Sequence, residues 1–592
     1  MSKNRNEVPA NLKWDLTKIF KDRNEFDALY ADVENSLDFS DYEGKLSDAD
    51  TLLKFMKTLD GVDLKIEKLA VYAMMYRDLD TRNSDAVALS SRVDALFVKY
   101  SSAIAFVTPE LTALPEETLK GFIADEKFSD YDYQFKCLLK TKPHVLSKEC
   151  ESLLSLGGQV FGGFHDIFTM IDNADMPFPE IEVNGEKIRV THGTYSLLLQ
   201  DENVETRAKA FKAYYKAYIS LINTITATYT GNVNKDVFFA RARKYGGCLE
   251  SALSNEDVPA SVYENLLNSV TEGLPLVHRY VADRKKILGL DELHMYDLYV
   301  PLVENADIKL DYEEAFKLVK KGLAPLGEDY GKLLQRAHDE GWMDVEETDG
   351  KRSGAYSVCV YAFEHPYVLL NYQPTSHDVF TIAHELGHSM HSFKSDAAQP
   401  KAKADYKIFV AEVASTVNEV LLLKYLLKNS KDEKLKKYLL SYYMDMIRTT
   451  LFRQTMFAEF EYIAHNAAEK GEPLTKDFLC GEYLALNKKY YGDAVISDDE
   501  ISYEWARIPH FYNSFYVYKY ATGIISAISI AERIYNEGES AVKDYFRFLS
   551  SGGSDSPVEL LKLAGVDLTK KDAYKAAMKS FEDALNEFEN LD

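Results

Sequence analysis

The sequence predicts a mainly α-helical protein with two small β regions, and three observations lead there. Apolar residues recur at spacings of three and four over most of the chain, one Asn-Gly pair sits inside an alternating decapeptide, and a second β-like stretch directly precedes the segment richest in chemistry. With 592 residues, 46% hydrophobic and 28% charged, the composition is that of a globular protein, which excludes disordered, collagen-like and coiled-coil classes. A prior of about 150 residues per domain allows two to four domains.

From Leu12 to about Cys150 the spacing is helical, as in Leu52-Leu53-Phe55-Met56-Leu59 and Ala86-Val87-Leu89-Val93-Leu96-Phe97. Ile181 to Val190 alternates around Asn184-Gly185, the strongest short signal for a tight hairpin with both turn residues at positive φ. Helical spacing returns over Arg207–Ile222 and Phe238–Tyr245. No repeat or Pro-, Gly- or Ser-rich linker divides the chain, so a domain boundary is placed near residue 200, at the hairpin and the Asp201-Glu202-Asn203 turn. A second β region is expected at Ser357–Tyr361 and Tyr367–Tyr372, around His365-Pro366. Thr375 with Asp378 resembles a capping box, so a helix should start there with Phe380, Ile382, Ala383, Leu386 and Met390 on its apolar side.

Charge and cysteine content bound the partners. Acidic residues outnumber basic ones by 94 to 69, and a formal charge of −25 repels phosphate backbones and anionic lipid, so neither nucleic acid nor membrane is an expected partner. Forty tyrosines suit a surface that grips peptide, although most should fill ordinary core positions. The five cysteines are scattered and form no Cys-x-x-Cys pair, which fits a reducing compartment. Met1 to Glu7 is charged rather than apolar, and the apolar run Gly523–Ala531 is far shorter than the roughly 20 residues of a membrane span, so a cytoplasmic location is expected.

His384-Glu385-Leu386-Gly387-His388 places two imidazoles four residues apart on the expected helix, where both can meet one ion. In the metallopeptidase use of this pattern the histidines bind zinc and the glutamate accepts a proton from the attacking water. The bare pattern arises by chance in about one such chain in fifty, so its setting on a capped, apolar-faced helix after a strand is what separates it from an ordinary surface His pair. A catalytic zinc needs a third protein ligand. His391 lies about 10.5 Å along the helix from His384, too far to share an ion, and reads as a satisfied or exposed helix histidine. The next expected helix, Asp405–Lys428, sets Glu412 among apolar neighbours, which is costly unless its charge is compensated, and Glu412 is the candidate third ligand. Glu419 on the same face either accepts a hydrogen bond from a ligand histidine or forms a solvated salt bridge. Gly387 costs about 1 kcal/mol in a helix interior, a cost explained if the Glu412 helix approaches closely there. Cys359 has no evident histidine partner and reads as a packed thiol.

His384 to His391, Phe409-Val410-Ala411-Glu412-Val413-Ala414-Ser415 and Ile508 to Gly523, together with Leu12-Lys13-Trp14-Asp15-Leu16 near the start, resemble oligoendopeptidase F, of the thimet oligopeptidase family. The resemblance spans nearly the whole chain. It implies a two-lobed, multi-helix fold around a deep substrate channel; with the boundary placed near residue 200, residues 1–200 are expected to form an N-terminal helical domain ending in the β-hairpin and 201–592 the zinc metallopeptidase catalytic domain. It also implies one zinc per chain held by His384, His388 and Glu412, Glu385 as base, and cleavage inside short, unfolded oligopeptides.

The tetrahedral intermediate needs donors for its oxyanion, and relatives draw a histidine and one or two tyrosines from the last segment. His510 is the expected histidine, and Tyr512, Tyr516, Tyr518 and Tyr520 are all suited. Tyr512 and Tyr516, one helical turn apart, are favoured, with Tyr518 next. Tyr516 is assigned to catalysis, and Tyr512 and Tyr518 to substrate binding. The extended peptide is expected along an edge of the strand Tyr367–Tyr372. The rival enzyme reading, a zinc carboxypeptidase or dipeptidyl carboxypeptidase, requires a cation for the substrate's terminal carboxylate, and no single Arg or Lys announces that role. A non-catalytic, helical peptide-binding protein is the alternative from another class, and the intact His384, Glu385, His388 and Glu412 count against it.

Overall fold

A computed structural model describes residues 3–303 and 308–591, so the first two residues of the charged N-terminal run lie outside the described part. The chain is 71% helical, in keeping with the periodicity. Long amphipathic helices such as Ala49–Leu79 and Ser84–Ala103 fill the front of the sequence, each entered through an Asp or Asn whose side chain accepts a backbone N–H of the first turn. Among the described residues no helix is long and apolar enough to cross a membrane, and all five cysteines are free.

The contacts divide the chain into two compact units, each assembled from three separate segments. The first comprises residues Met1–Pro143, Asp307–Asn429 and Ser526–Asp567, and the second His144–Ala306, Ser430–Ile525 and Leu568–Asp592. Residue 200 falls inside the second unit.

In the first unit, Trp14, Phe20, Phe26, Leu52, Phe55, Leu69 and Leu96 build a continuous core that reaches Tyr367 and Leu369. Trp14 is fixed at both ends. Its indole N–H donates to the Trp342 carbonyl at 2.9 Å, and its backbone N–H donates to Asp344 at 3.0 Å. Asp344, 1% exposed, also meets Arg5 and, at 2.7 Å, Lys351, so its buried charge is compensated by two cations.

Both β regions form. The hairpin pairs β1 (Glu180–Val183) with β2 (Glu186–Arg189) in the second unit, and Asn184 and Gly185 take φ of 52° and 85° as a two-residue turn of this kind requires. The other sheet, in the first unit, consists of β3 (Met343–Asp344), β4 (Tyr356–Val358) and β5 (Tyr367–Leu369), shorter than the sequence suggests and with β3 unanticipated. Its order is β3-β5-β4, with β5 parallel to β3 and antiparallel to β4. The strand expected to receive peptide is therefore the central one, its ladder already used on both sides, and β3 and β4 are the outer strands.

The second unit is helical and rich in aromatic rings. Tyr214, Tyr215, Tyr218, Tyr229, Tyr263, Tyr280 and Tyr483 are among its largest fully buried side chains, so much of the tyrosine excess is core.

Candidate active site

The helix Ser376–Ala398 begins where its cap predicts. Thr375 accepts the Asp378 N–H, and Phe380, Ile382, Ala383, Leu386 and Met390 are all buried. The second helix, Ile408–Asn429, crosses it at close range. A methyl group on Gly387 would stand 2.5 Å from Ser415 Cα and 2.6 Å from the Ala414 carbonyl oxygen, so only glycine permits this approach. Asn418 ties the pair together from within, donating to the Ala383 carbonyl at 2.9 Å while accepting from the Tyr330 hydroxyl at 3.1 Å.

These two helices bring His384, His388 and Glu412 together. The Nε2 atoms of the histidines are 3.2 Å apart, and Glu412 Oε2 lies 3.3 Å from that of His384 and 3.5 Å from that of His388. Nδ1 of His384 faces Glu419 Oε1 at 2.6 Å, so once a metal displaces the proton on Nε2, the remaining ring proton belongs on the Glu419 side and Nε2 is the ligand atom. Ligand atoms about 2.1 Å from a tetrahedral zinc stand about 3.4 Å from each other, which matches the observed spacing. A nitrogen, nitrogen, oxygen set of this size fits zinc.

The electrostatics agree with three groups gathered to share a cation. Burial would raise the Glu412 carboxyl, yet the two histidines outweigh it and hold its pKa far below the ordinary range. Burial would likewise depress His384, but Glu412 and Glu419 push its pKa well above the usual imidazole value. Glu385 is 6% exposed, its Oε2 has no hydrogen-bond partner among the described residues, and burial pushes its pKa up. An unpartnered buried carboxylate beside the candidate ligands has the placement of a proton acceptor.

Ser357 of β4 meets Ser389 of the histidine helix at 2.8 Å, which holds the outer strand against that helix. His391 is neither satisfied nor exposed. It is 1% exposed, stacked on Tyr406 with centroids 3.8 Å apart, its Nδ1 has no hydrogen-bond partner among the described residues, and burial lowers its pKa to about 3. It fills core and is not in the metal cluster. Cys359 donates to Asp396 at 3.2 Å as a packed thiol.

The aromatic segment belongs to the second unit and departs from the sequence reading. Pro509–Tyr512 forms one 3-10 turn, Phe515 adopts φ of 57°, and the next helix starts at Tyr518, so Tyr512 and Tyr516 share no helical face. The left-handed Phe515 is held by its N–H, which donates to the buried carboxyl of Glu461 at 2.9 Å. Tyr512 is buried, bonded to Thr228 at 2.7 Å and stacked on Phe168, and Tyr518 is 1% exposed against Tyr263. Both expected substrate contacts are core positions. His510 remains open, and the half-buried Tyr516 and Tyr520 flank it with ring centroids 6.1 and 5.9 Å away. The Tyr520 hydroxyl reaches His510 Nε2 at 3.4 Å. Tyr516 and Tyr520, rather than Tyr512 or Tyr518, are the tyrosines beside His510, and the sequence signal for this was Asn513-Ser514, a polar break that argues against a continuous helix.

Two crossed helices offering His-Glu-x-x-His and a glutamate around one point, with the motif glutamate left unpartnered, define a metallopeptidase. Comparison with known proteins narrows this: the profile of Peptidase family M3 matches residues 197–580, and that of Oligopeptidase F matches residues 110–178. Oligopeptidase PepF of Bacillus subtilis (strain 168) is 44% identical over 99% of this chain and 88% of its own length. The Oligoendopeptidase F homolog of Lactococcus lactis subsp. lactis (strain IL1403) is 40% identical over 100% and 99%. The solved oligoendopeptidase-F of Enterococcus faecium superposes with a TM-score of 0.74 at 36% identity, covering 96% of this chain and 99% of its own. The chain belongs to peptidase family M3.

Proposed function

We propose that this protein is a zinc-dependent endopeptidase that hydrolyses internal bonds of short, unfolded oligopeptides. The observation that carries the reading is the mutual 3.2 to 3.5 Å spacing of His384, His388 and Glu412, with Glu385 buried and unpartnered beside them. Relatives named oligoendopeptidase F support the substrate class.

His384, His388 and Glu412 would hold the zinc, and Glu419 fixes the His384 ring so that Nε2 is its ligand atom. Zinc, when bound there, polarises a carbonyl and acidifies a water. Glu385 takes the proton of the attacking water and returns it to the leaving amine, so no covalent enzyme intermediate is required. His510, Tyr516 and Tyr520 supply donors to the developing oxyanion or to the peptide backbone. The outer strand β4, whose ladder is open on one side, replaces β5 as the strand that pairs with extended substrate.

The test is the metal content and peptide turnover of Glu412→Ala against the parent, with a mixed peptide library read by mass spectrometry. Sharply weaker zinc retention and no internal cleavage are expected. Zinc affinity equal to the parent's would remove Glu412 from the ligand set, and products trimmed only from the carboxyl terminus would replace the endopeptidase reading with the carboxypeptidase one.

A further inference from the structure

Arg453 and Arg507 share a single carboxylate. Glu504 accepts from Nη2 of both guanidinium groups, at 2.8 Å for Arg507, and from the Tyr483 hydroxyl at 2.5 Å. Glu504 is 3% exposed, and although burial opposes its ionisation, the two arginines lower its pKa to about 2. Two cations and one anion leave one positive charge. Among the described residues their other hydrogen-bond and ring partners are neutral: Arg507 Nε donates to the Tyr215 hydroxyl at 3.3 Å, its guanidinium lies near the Tyr195 and Tyr214 rings, and Arg453 stacks over Phe457 at 4.3 Å.

Other arginines of this unit are employed differently. Arg207 is matched one to one by Asp297, and Arg284 and Arg448, which share Asp445, are 0% and 2% exposed and donate to the backbone carbonyls of Asp297, Leu298 and Val300. Arg453 and Arg507 keep 14% and 20% of their side chains accessible, and among the described residues no backbone carbonyl takes their remaining N–H groups. A guanidinium carries five donors, so this pair holds unused donors as well as unused charge, in surroundings where aromatic rings keep the local dielectric low. The pair also adjoins the aromatic segment. Arg507 is three residues from His510, whose pKa is lowered by burial and then by the Arg453 charge.

We propose that Arg453 and Arg507 form a carboxylate-recognition subsite beside His510, which takes either the terminal carboxylate or an acidic side chain of the bound peptide. This rests on the reading above that His510 faces substrate. It supplies the cation that no single position in the sequence announced, because the charge arises from a two-to-one count around Glu504 and not from a solitary basic residue.

The test uses four peptides of one sequence: free acid or amide at the carboxyl terminus, each with Glu or Gln on the carboxyl side of the cut. The parent should favour a carboxylate by about 10- to 100-fold in kcat/KM, the scale of charge-assisted hydrogen bonds, and the pair of peptides that shows the ratio identifies which carboxylate is read. Arg453→Met should bring the ratio close to one. Glu504→Gln, which leaves both cations without an anion, should preserve or enlarge it, an outcome that general loss of packing would not produce. Equal rates for all four peptides in the parent, or a ratio in Arg453→Met equal to the parent's, would overturn the subsite. Calorimetric binding of the same peptides to Glu385→Gln reads the preference without turnover, so a protein that cleaves no peptide defeats the peptidase reading while the subsite is still decided.

Discussion

Replacing Gly387 with alanine should separate metal binding from stability. The added methyl would lie 2.5 Å from Ser415 Cα, 2.6 Å from the Ala414 carbonyl oxygen and 2.7 Å from Ser415 N, all backbone atoms that no rotamer change can move aside. Carbon atoms pack at about 3.5 to 4.0 Å, so the two helices must part by about 1 Å. Overpacking of this sort costs about 1 to 3 kcal/mol, of which the better helix propensity of alanine returns about 1, so the metal-free protein should melt only slightly below the parent. Ligand distances tolerate only about 0.2 Å, and Glu412 sits on the helix displaced from the two histidines. Zinc affinity should therefore fall by at least about 100-fold, read by competition with a chromogenic chelator, alongside thermal melts of both proteins stripped of metal. Parent-like zinc affinity and activity in Gly387→Ala would refute the idea that this contact sets the ligand spacing.

Glu385→Gln should retain zinc and the parent's melting temperature but lose nearly all turnover, since the amide fills the same volume without taking a proton, and near-parental kcat would remove Glu385 as the base. His510→Phe, Tyr516→Phe and Tyr520→Phe should each lower kcat by about 100- to 1000-fold with little change in KM, whereas Tyr512→Phe should cost about 1 kcal/mol of stability from its bond to Thr228 and leave kcat within about threefold; the reverse pattern would restore Tyr512 to the site. Asp344→Asn should destabilise the first unit by about 3 kcal/mol by stranding Arg5 and Lys351. Burial raises the Asp344 carboxyl but those two cations hold it below the ordinary range, so its stabilisation is present above the usual carboxylate pKa and lost as pH falls through the lowered native one. The melting difference should accordingly stay constant from about pH 5 to 8 and narrow only below about pH 4, and a difference that grew on acidification would contradict the assignment.

The candidate metal centre was legible because its ligands follow helix geometry: two histidines four residues apart on a helix with a readable cap, and one carboxylate in an apolar run on the next. The cost of Gly387 pointed to a close helix crossing, which is where Ser415 lies. Legibility failed where long-range pairing decides. The order β3-β5-β4 depends on Met343 and Asp344, a two-residue strand too short for any periodicity, so the central strand looked like an edge. His391 looked polar by type, yet Tyr406 and Phe548 bury it. In the aromatic segment, Phe515 takes a left-handed conformation with its N–H bonded to Glu461, 54 residues earlier in the chain, and this turn takes Tyr516 off the helical face it would share with Tyr512.

The threading of the chain bears on how it can be made. Each unit is closed by a late segment, Ser526–Asp567 for the first and Leu568–Asp592 for the second, where Ser580 meets the Tyr443 hydroxyl at 2.8 Å and Glu589 pairs with Arg279. During synthesis at about 5 to 20 residues per second, neither unit has all its segments until more than five hundred residues have emerged, so neither can complete folding early in the chain as sequential domains do. At that rate each unit waits about 25 seconds or more for its closing segment, so changes in the closing segments act on the last step of assembly of each unit.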